Sequence, residues 1–177
     1  MRRERIEPTD NKIVVIDNFL SDSQHQYILQ TMSSSEFGWS FVDCISSKQD
    51  PKDLYFFIRL MYGYNADGNH SVYFCSSYQS IIPILCKLNP RGISRVKANC
   101  YPSGSSIIEH PLHVDTEFNS KVALYCVNSN NGYTYFENGQ KIESVANRMI
   151  LFDGSVKHAG TNCTDQKVRL NINFNYF

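Results

Sequence analysis

The sequence comprises 177 residues, of which 42% are hydrophobic and 13% are aromatic, a composition typical of one globular domain with a sizeable core. Its 17 basic residues balance 17 acidic residues, which argues against general electrostatic binding of nucleic acid or of an anionic membrane. No apolar stretch follows the charged N-terminus, and no apolar run could span a bilayer, so we expect a cytoplasmic protein without a signal peptide or transmembrane segment.

The six cysteines are expected to be free thiols. They stand at scattered positions without a CxxC pair: Cys44, Cys75, Cys86, Cys100, Cys126 and Cys163. Zinc sites require closer pairing, and a disulfide framework is expected mainly in secreted chains. The spacing therefore predicts reduced and mostly buried cysteines.

The first half of the chain is predicted to mix strands and helices. Residues 12–16 indicate a short buried strand, a helix is expected after the start signal at 21–23, and residues 39–45 indicate a second strand. The aromatic segment 54–64 fits a strand or a helix. Residues 72–88 have the length and spacing of a helix, kinked or divided near Pro83.

From residue 95 onward, short β-type segments alternate with turn residues. The predicted strands are 96–101, 107–115, 121–127, 133–136, 141–145, 149–152 and 167–176. This spacing is typical of an all-β sandwich or barrel. We therefore expect one domain over residues 1–177, in which a mixed α/β part (1–94) supports a β core (95–177) that carries the site.

The segment "EHPLHVDTEF", residues 109–118, alternates in polarity. Its apolar side consists of Leu112, Val114, Thr116 and Phe118, and its polar side of His113, Asp115 and Glu117. Either this is an exposed strand with a wet polar face, or it directs ligands into a cavity while its apolar side faces the core. In a strand His113 and Asp115 point to the same side, so they could hold one metal ion together.

A metal site needs a third ligand, for which His158 in "DGSVKHAGTN" is the candidate. Two histidines and one carboxylate that leave positions open are the pattern of non-haem Fe(II) oxygenases. The alternative is that His158 is a loop or core histidine. The other three histidines, His25, His70 and His110, lack partner residues and are predicted to be structural or exposed.

The last predicted strand, "VRLNINFNYF", also has two unlike faces. Its apolar face is formed by Val168, Leu170, Ile172, Phe174 and Tyr176, and its polar face by Arg169, Asn171, Asn173 and Asn175. The polar face could be exposed to solvent. It could equally line a barrel interior, where the guanidinium of Arg169 would suit bidentate binding of a carboxylate.

The pieces "VKANCYPSGS", "HPLHVD", "VALYCVN", "NGYTYF", "NRMILFDGSVKH" and "KVRLNINFNYF" make a resemblance specific. In this order they resemble the Fe(II)/2-oxoglutarate-dependent dioxygenases, most closely the prolyl 4-hydroxylase-like branch. The resemblance implies a mainly β fold with N-terminal α/β elements, namely a double-stranded β-helix, or jelly roll, flanked by helices. It also implies a metal ion at one mouth of the jelly roll.

The resemblance assigns roles to individual residues. It implies that His113, Asp115 and His158 bind the iron and that Arg169 binds the distal carboxylate of 2-oxoglutarate. Two tyrosines are implied to line the co-substrate pocket. They are Tyr101, for which core packing is an equal alternative, and Tyr125, which would hydrogen-bond the same carboxylate.

The implied activity is hydroxylation of a substrate, in this branch a prolyl residue of a peptide or protein, with release of succinate and CO2. Fe(II), 2-oxoglutarate and O2 would be required, with ascorbate as a reductant. Because a carboxylate ligand is present at Asp115, hydroxylation is favoured over halogenation. Two alternatives stay open: a non-catalytic jelly-roll module that binds metal and 2-oxoglutarate as a sensor, and a structural protein whose triad is a coincidence.

Overall fold

The structure, a computed structural model, describes residues 12–43, 55–64, 72–116 and 119–177. Its eleven strands are β1 (Val14–Ile16), β2 (Ser40–Val42), β3 (Phe56–Tyr64), β4 (Val72–Phe74), β5 (Ile93–Pro102), β6 (Lys121–Cys126), β7 (Asn130–Phe136), β8 (Lys141–Ser144), β9 (Arg148–Asp153), β10 (His158–Gly160) and β11 (Val168–Tyr176). The helices are α1 (Asp22–Ser33) and α2 (Ile82–Leu88), with 3-10 helices at Ser35–Phe37 and Ser76–Ile81. Neither α-helix in these ranges has the length and hydrophobicity of a membrane span.

The strands form two antiparallel sheets that make up a jelly-roll core. The larger sheet has the order β1-β9-β6-β11-β5-β3-β2, with β4 paired to β3, and the smaller sheet has the order β10-β7-β8. Strand β11 lies centrally between β5 and β6, so Asn171, Asn173 and Asn175 of its polar face have neighbouring strands on both sides, while Arg169 pairs with β5. The predicted fold class, mainly β with helices on its flank, is confirmed.

Both faces of the large sheet are buried. One face, which includes Leu170, Ile172 and Phe174, packs with helical residues such as Ile28 and Ile84 in the main hydrophobic core. The other face contributes residues of β6 and β9 to a second cluster, which is closed by Phe136 and Ile142 from the small sheet. Polar side chains on this second face are therefore enclosed between two sheets.

Helix α1 begins as the sequence predicts. The hydroxyl of Ser21 accepts a hydrogen bond from the backbone N–H of Gln24, whose side chain accepts one from Ser21 N–H, which completes a capping box. The helix buries His25, Ile28 and Met32 against the sheet. This spacing of three and four residues places the three side chains on one face of the helix.

Three element predictions are corrected or resolved. The segment 54–64, which fitted a strand or a helix, is a strand over Phe56–Tyr64. The segment 72–88, predicted to be a helix kinked or divided near Pro83, is helical only in part. It begins with β4, continues as a 3-10 helix and ends in α2, where Pro83 occupies the first turn and its missing N–H costs no hydrogen bond. The predicted strand 107–115 forms only isolated bridges, at Glu109 and His113.

The cysteine prediction is confirmed where it can be compared. Cys75, Cys86, Cys100, Cys126 and Cys163 are free thiols, and all of them except Cys86 are buried. The sixth cysteine, Cys44, lies outside the described residues, as does part of the predicted strand 39–45, of which β2 covers Ser40–Val42.

Candidate metal centre

Three side chains from separate parts of the chain converge on one point. Nitrogen and oxygen atoms of His113, Asp115 and His158 all lie within 4.8 Å of one another. The Nε2 atom of His158 is 3.7 Å from Asp115 Oδ2, and the Nε2 atom of His113 is 4.0 Å from Asp115 Oδ1. The three residues that the sequence singled out as ligands are thus brought together.

The backbone fixes the two histidines relative to each other. His113 and His158 exchange two backbone hydrogen bonds of 3.0 Å, so the bridge joins the loop before Asp115 to strand β10. Their ring centroids are 5.0 Å apart. His158 therefore belongs to strand β10 of the small sheet and not to a loop, and its side chain is buried.

Each histidine ring is oriented by a backbone carbonyl. Nδ1 of His113 lies 3.1 Å from the carbonyl oxygen of Pro111, and Nδ1 of His158 lies 3.1 Å from that of Val156. A protonated Nδ1 donates to these acceptors, which leaves the lone pair of each Nε2 directed toward Asp115. This is the tautomer in which a neutral histidine binds a metal.

The carboxylate of Asp115 is held by three donors. Arg95 Nη2 donates to Oδ1 at 3.0 Å, while Nδ2 of Asn173 and Nδ2 of Asn175 donate to Oδ2 at 2.7 and 3.1 Å. Burial acts to raise the pKa of Asp115, but His158, Arg95 and the two amides lower it to about 2. The carboxylate is therefore ionised and fixed in orientation at neutral pH.

This donor set fits Fe(II). Two imidazole nitrogens and one carboxylate oxygen lie close enough together to bind one ion, and this ligand set is typical of non-haem Fe(II) sites with open positions. The surrounding hydrogen bonds meet the usual requirement that ligands be oriented by further protein groups.

A buried cation lies in the same cavity as the triad. Arg169 is only 1% exposed, and its guanidinium donates to three neutral oxygens: Nε to Ser144 Oγ at 2.7 Å, Nη1 to the carbonyl of Thr161 at 3.1 Å, and Nη2 to Thr134 Oγ1 at 3.0 Å. No carboxylate of the described residues pairs with it, and burial lowers its pKa. A buried charge without a counter-ion is costly, so this cavity is suited to an anionic ligand.

The backbone approaches the guanidinium closely at Gly160. A Cβ atom at this position would lie 2.8 Å from Nη1 of Arg169. Since His158 is only two residues earlier on β10, one short strand places both a candidate metal ligand and the wall beside the cation.

Tyr101 lines this cavity together with Arg169. Its ring centroid is 5.5 Å from the guanidinium carbon, and it stacks on Phe56 at 5.2 Å. Within the described part of the chain its hydroxyl has no hydrogen-bond partner. Burial raises the pKa of Tyr101 to about 12, so this hydroxyl keeps its proton and can donate to a ligand.

The role predicted for Tyr125 is wrong. Tyr125 pairs with Ile172 and lies on the apolar face of the large sheet, whereas Arg169 is on the opposite face. Its hydroxyl donates to Asn147 Oδ1 at 3.0 Å and lies 2.8 Å from His25 Nδ1. The next residue of β6, Cys126, is the one that shares the face of Arg169, since successive strand residues alternate sides.

The 109–118 segment directs His113 and Asp115 into a cavity, which agrees with one of the two interpretations of its sequence. Its apolar side does not face the core, because Leu112 and Val114 are 42% and 41% exposed. Glu117 and Phe118 lie outside the described residues. Among the remaining histidines, His25 and His110 are buried, and His70 lies outside the described residues.

The sequence interpretation placed Asn173 and Asn175 on the same face as Arg169 but did not assign their role in holding Asp115. It missed three further residues that hold the triad or Arg169, namely Arg95, Thr134 and Ser144. The segment "RVKANCY" of β5 contained one usable signal, because its polar residues stand at every second position and so share one face of the strand. Three of them, Lys97, Asn99 and Tyr101, line the cavity. No comparable signal marks Thr134 or Ser144, because their neighbour Arg169 is distant in sequence.

Comparisons support the fold and not a sequence family. No family profile matches the chain, and no curated protein matches its sequence. Among solved structures, the chain is similar to a Trichoplax adhaerens prolyl hydroxylase in complex with a peptide fragment of the hypoxia inducible factor oxygen degradation domain, with a TM-score of 0.64 and 18% identity over 94% of this chain and 84% of that one.

Two further structures match over most of their length. The viral collagen prolyl hydroxylase from Paramecium Bursaria Chlorella virus-1, in its 2OG complex, has a TM-score of 0.59 at 12% identity and covers 92% and 93% of the two chains. The non-heme alpha ketoglutarate dependent epimerase SnoN from nogalamycin biosynthesis has a TM-score of 0.62 at 10% identity, over 94% and 78%. The chain therefore has the fold of the prolyl hydroxylases and other 2OG-Fe(II) oxygenases.

Proposed function

We propose that this protein is an Fe(II)- and 2-oxoglutarate-dependent dioxygenase that hydroxylates a prolyl residue of a peptide or protein, with release of succinate and CO2. One observation carries the proposal: a His-Asp-His cluster faces one cavity of an oxygenase-like fold together with a buried arginine that has no carboxylate partner among the described residues. The cluster offers a metal site, and the arginine offers a site for a ligand carboxylate.

His113, Asp115 and His158 would hold the iron. When bound, Fe(II) would supply the oxidative chemistry with O2 that amino-acid side chains lack. The chain orients the ligands beforehand, since Arg95 and the amides fix the carboxylate and backbone carbonyls fix both rings. The free energy of ordering these side chains is therefore supplied by folding and not by metal binding.

Arg169 would bind the distal carboxylate of 2-oxoglutarate. Its three neutral acceptors hold the guanidinium in place without neutralising it, so the charge is available to a ligand. The hydroxyl of Tyr101 is a second donor on the same wall. Burial between two sheets excludes water and strengthens the ion pair that would form.

The prolyl substrate is supported by the prolyl hydroxylases among the solved structures with this fold, one of them bound to a peptide. The carboxylate at Asp115 favours hydroxylation over halogenation, because it occupies a coordination position. Ascorbate as the reductant and a cytoplasmic location are further parts of this proposal, to be tested by activity assays and cell fractionation.

Anaerobic titration followed by admission of air tests the proposal. Fe(II) and then 2-oxoglutarate are added to the protein, and the visible charge-transfer absorption of their complex is recorded. Succinate is then measured after O2 is admitted. Absorption followed by succinate supports the dioxygenase, absorption without succinate supports a non-catalytic sensor, and absence of both contradicts the proposed site.

A further inference from the structure

A second cation, Lys97, lines the same cavity as Arg169 and the metal-binding triad. Lys97 pairs in register with Asn173, the amide that holds Asp115, while Arg169 pairs with Tyr101. The backbone positions of Lys97 and Tyr101 are four residues apart on β5, or about 13 Å. Lys97 is therefore level with the amide that orients Asp115.

Among the described residues, the ammonium of Lys97 forms no hydrogen bond and no ion pair with a carboxylate. It lies 5.7 Å from the centroid of the Phe56 ring. The carboxylate of Asp115 attracts this ammonium electrostatically, but its oxygens already accept hydrogen bonds from Arg95, Asn173 and Asn175. Burial, reinforced by Arg95, lowers the pKa of Lys97 to about 8.

The position of this cation is unfavourable for metal binding. The charge of Lys97 acts on His158, so it also opposes a divalent ion held there. Among the described residues that line the cavity, Asp115 carries the one carboxylate, whereas Lys97 and Arg169 carry two positive charges. An anionic ligand beside the metal would compensate the charge of Lys97, as a second carboxylate would compensate that of Arg169.

We propose that Lys97 is a second anion-binding residue, which binds a carboxylate beside the metal. This inference rests on the proposed function. The carboxylate is either the one next to the keto group of 2-oxoglutarate or an acidic group of the primary substrate. In both cases Lys97 makes the part of the cavity beside the metal selective for acids. Its positive charge attracts a carboxylate and does not attract a neutral group of similar shape.

The first arm of the test uses two ligands that differ at one group. 4-Oxopentanoate keeps the ketone and the distal carboxylate of 2-oxoglutarate and has a methyl group in place of the carboxylate at the metal end. Both are titrated into Zn(II)-loaded parent and Lys97→Met protein, by calorimetry and by ligand-observed NMR. We expect 2-oxoglutarate to bind about tenfold or more weakly to the variant, with 4-oxopentanoate unaffected.

The second arm applies if 2-oxoglutarate binds both proteins equally. Acetate is then titrated into the Zn(II)- and 2-oxoglutarate-loaded proteins, and its NMR relaxation reports binding. Acetate binding that Lys97→Met loses assigns the residue to an acidic group of the primary substrate. The inference is overturned if the variant matches the parent in both arms, or if it weakens both ligands of the first arm equally.

Two control variants distinguish an effect of the charge of Lys97 from an effect of its packing. The behaviour of the parent protein distinguishes failure of this inference from failure of the proposed function. Lys97→Arg should retain most of the affinity because it keeps the charge. Lys121→Met removes a lysine that pairs with Asp153, outside the lining of this cavity, and should change neither ligand. A parent protein that fails to bind Zn(II) or 2-oxoglutarate would instead contradict the proposed function itself.

Discussion

Asn173 donates a 2.7 Å hydrogen bond to the carboxylate of Asp115, across a sequence separation of 58 residues. Asn175 donates to the same oxygen at 3.1 Å. The final strand of the chain therefore orients a ligand of the candidate metal centre, and it carries Arg169 six residues before Asn175 on the same face. One strand thus links the metal site to the carboxylate site.

We expect His113→Ala, Asp115→Ala and His158→Ala each to abolish tight Fe(II) binding while the fold is retained. Each variant removes one of three converging ligands, and two ligands bind a labile divalent ion weakly. Calorimetry with Fe(II) under anaerobic conditions measures the affinity, and circular dichroism checks the fold. A folded variant that binds iron as the parent does would refute the triad.

Asn173→Leu should weaken metal binding by about 10- to 100-fold, the usual effect of losing a group that orients a ligand. The variant removes one of the hydrogen bonds that keep the pKa of Asp115 low, so this pKa should rise toward its ordinary value. Mn(II) titration at pH 7 measures the change. Asn131→Leu, which alters an exposed amide bonded to Thr164, is the control and should bind metal normally.

Arg169→Leu should weaken 2-oxoglutarate binding by roughly 30-fold or more, because loss of one partner of a buried charged pair costs about 2–5 kcal/mol. Metal affinity should change little, since the guanidinium lies outside the cluster that could hold a metal. Calorimetric titration of 2-oxoglutarate into the Mn(II)-loaded variant measures the effect. Unchanged affinity in a folded variant would exclude Arg169 as the carboxylate site.

Tyr125→Phe is a discriminating variant for the same site. Because Tyr125 lies on the other face of the sheet, 2-oxoglutarate affinity should stay at the parental value. The free energy of unfolding should fall by about 1–3 kcal/mol, since His25 and Asn147 lose a buried hydrogen-bond partner. A selective loss of 2-oxoglutarate affinity, measured by the same titration, would contradict this arrangement.

Lys97→Met should stabilise the ligand-free protein at pH 7. The folded-state pKa of about 8 is below the usual value for lysine, so the unfolded chain binds more protons between about pH 8 and 10.4, and parental stability rises with pH there. The advantage of the variant, on the order of 1–3 kcal/mol, should be complete below pH 8 and shrink as the pH approaches 10. Urea unfolding at pH 7 and 9.5 measures it, and a pH-independent difference would contradict the expected titration.

Local patterns predicted much of the fold because they depend on nearby residues. Turn residues at short intervals marked β6, β7, β8, β9 and β11, although not the short strand β10, and the start signal at Ser21 marked the beginning of α1. The segment 72–88 was misassigned because its β4 portion has no helix-breaking residue, and its strand conformation depends on pairing with β3. Propensity alone does not decide between a helix and an edge strand in such a segment.

The sequence by itself determined that His113 and Asp115 share one side and that Arg169 shares another with three asparagines, because strand residues alternate with a period of two. It did not determine which side faces inward, which is why Leu112, Val114 and Tyr125 were assigned to the wrong surroundings. Only the tertiary structure decided this, since the direction of a face depends on packing against strands and helices that are remote in sequence. The same long-range packing brings Arg95, Asn173 and Asn175 to Asp115. It also places Arg169 and Lys97 in the cavity without an ion pair to any carboxylate of the described residues.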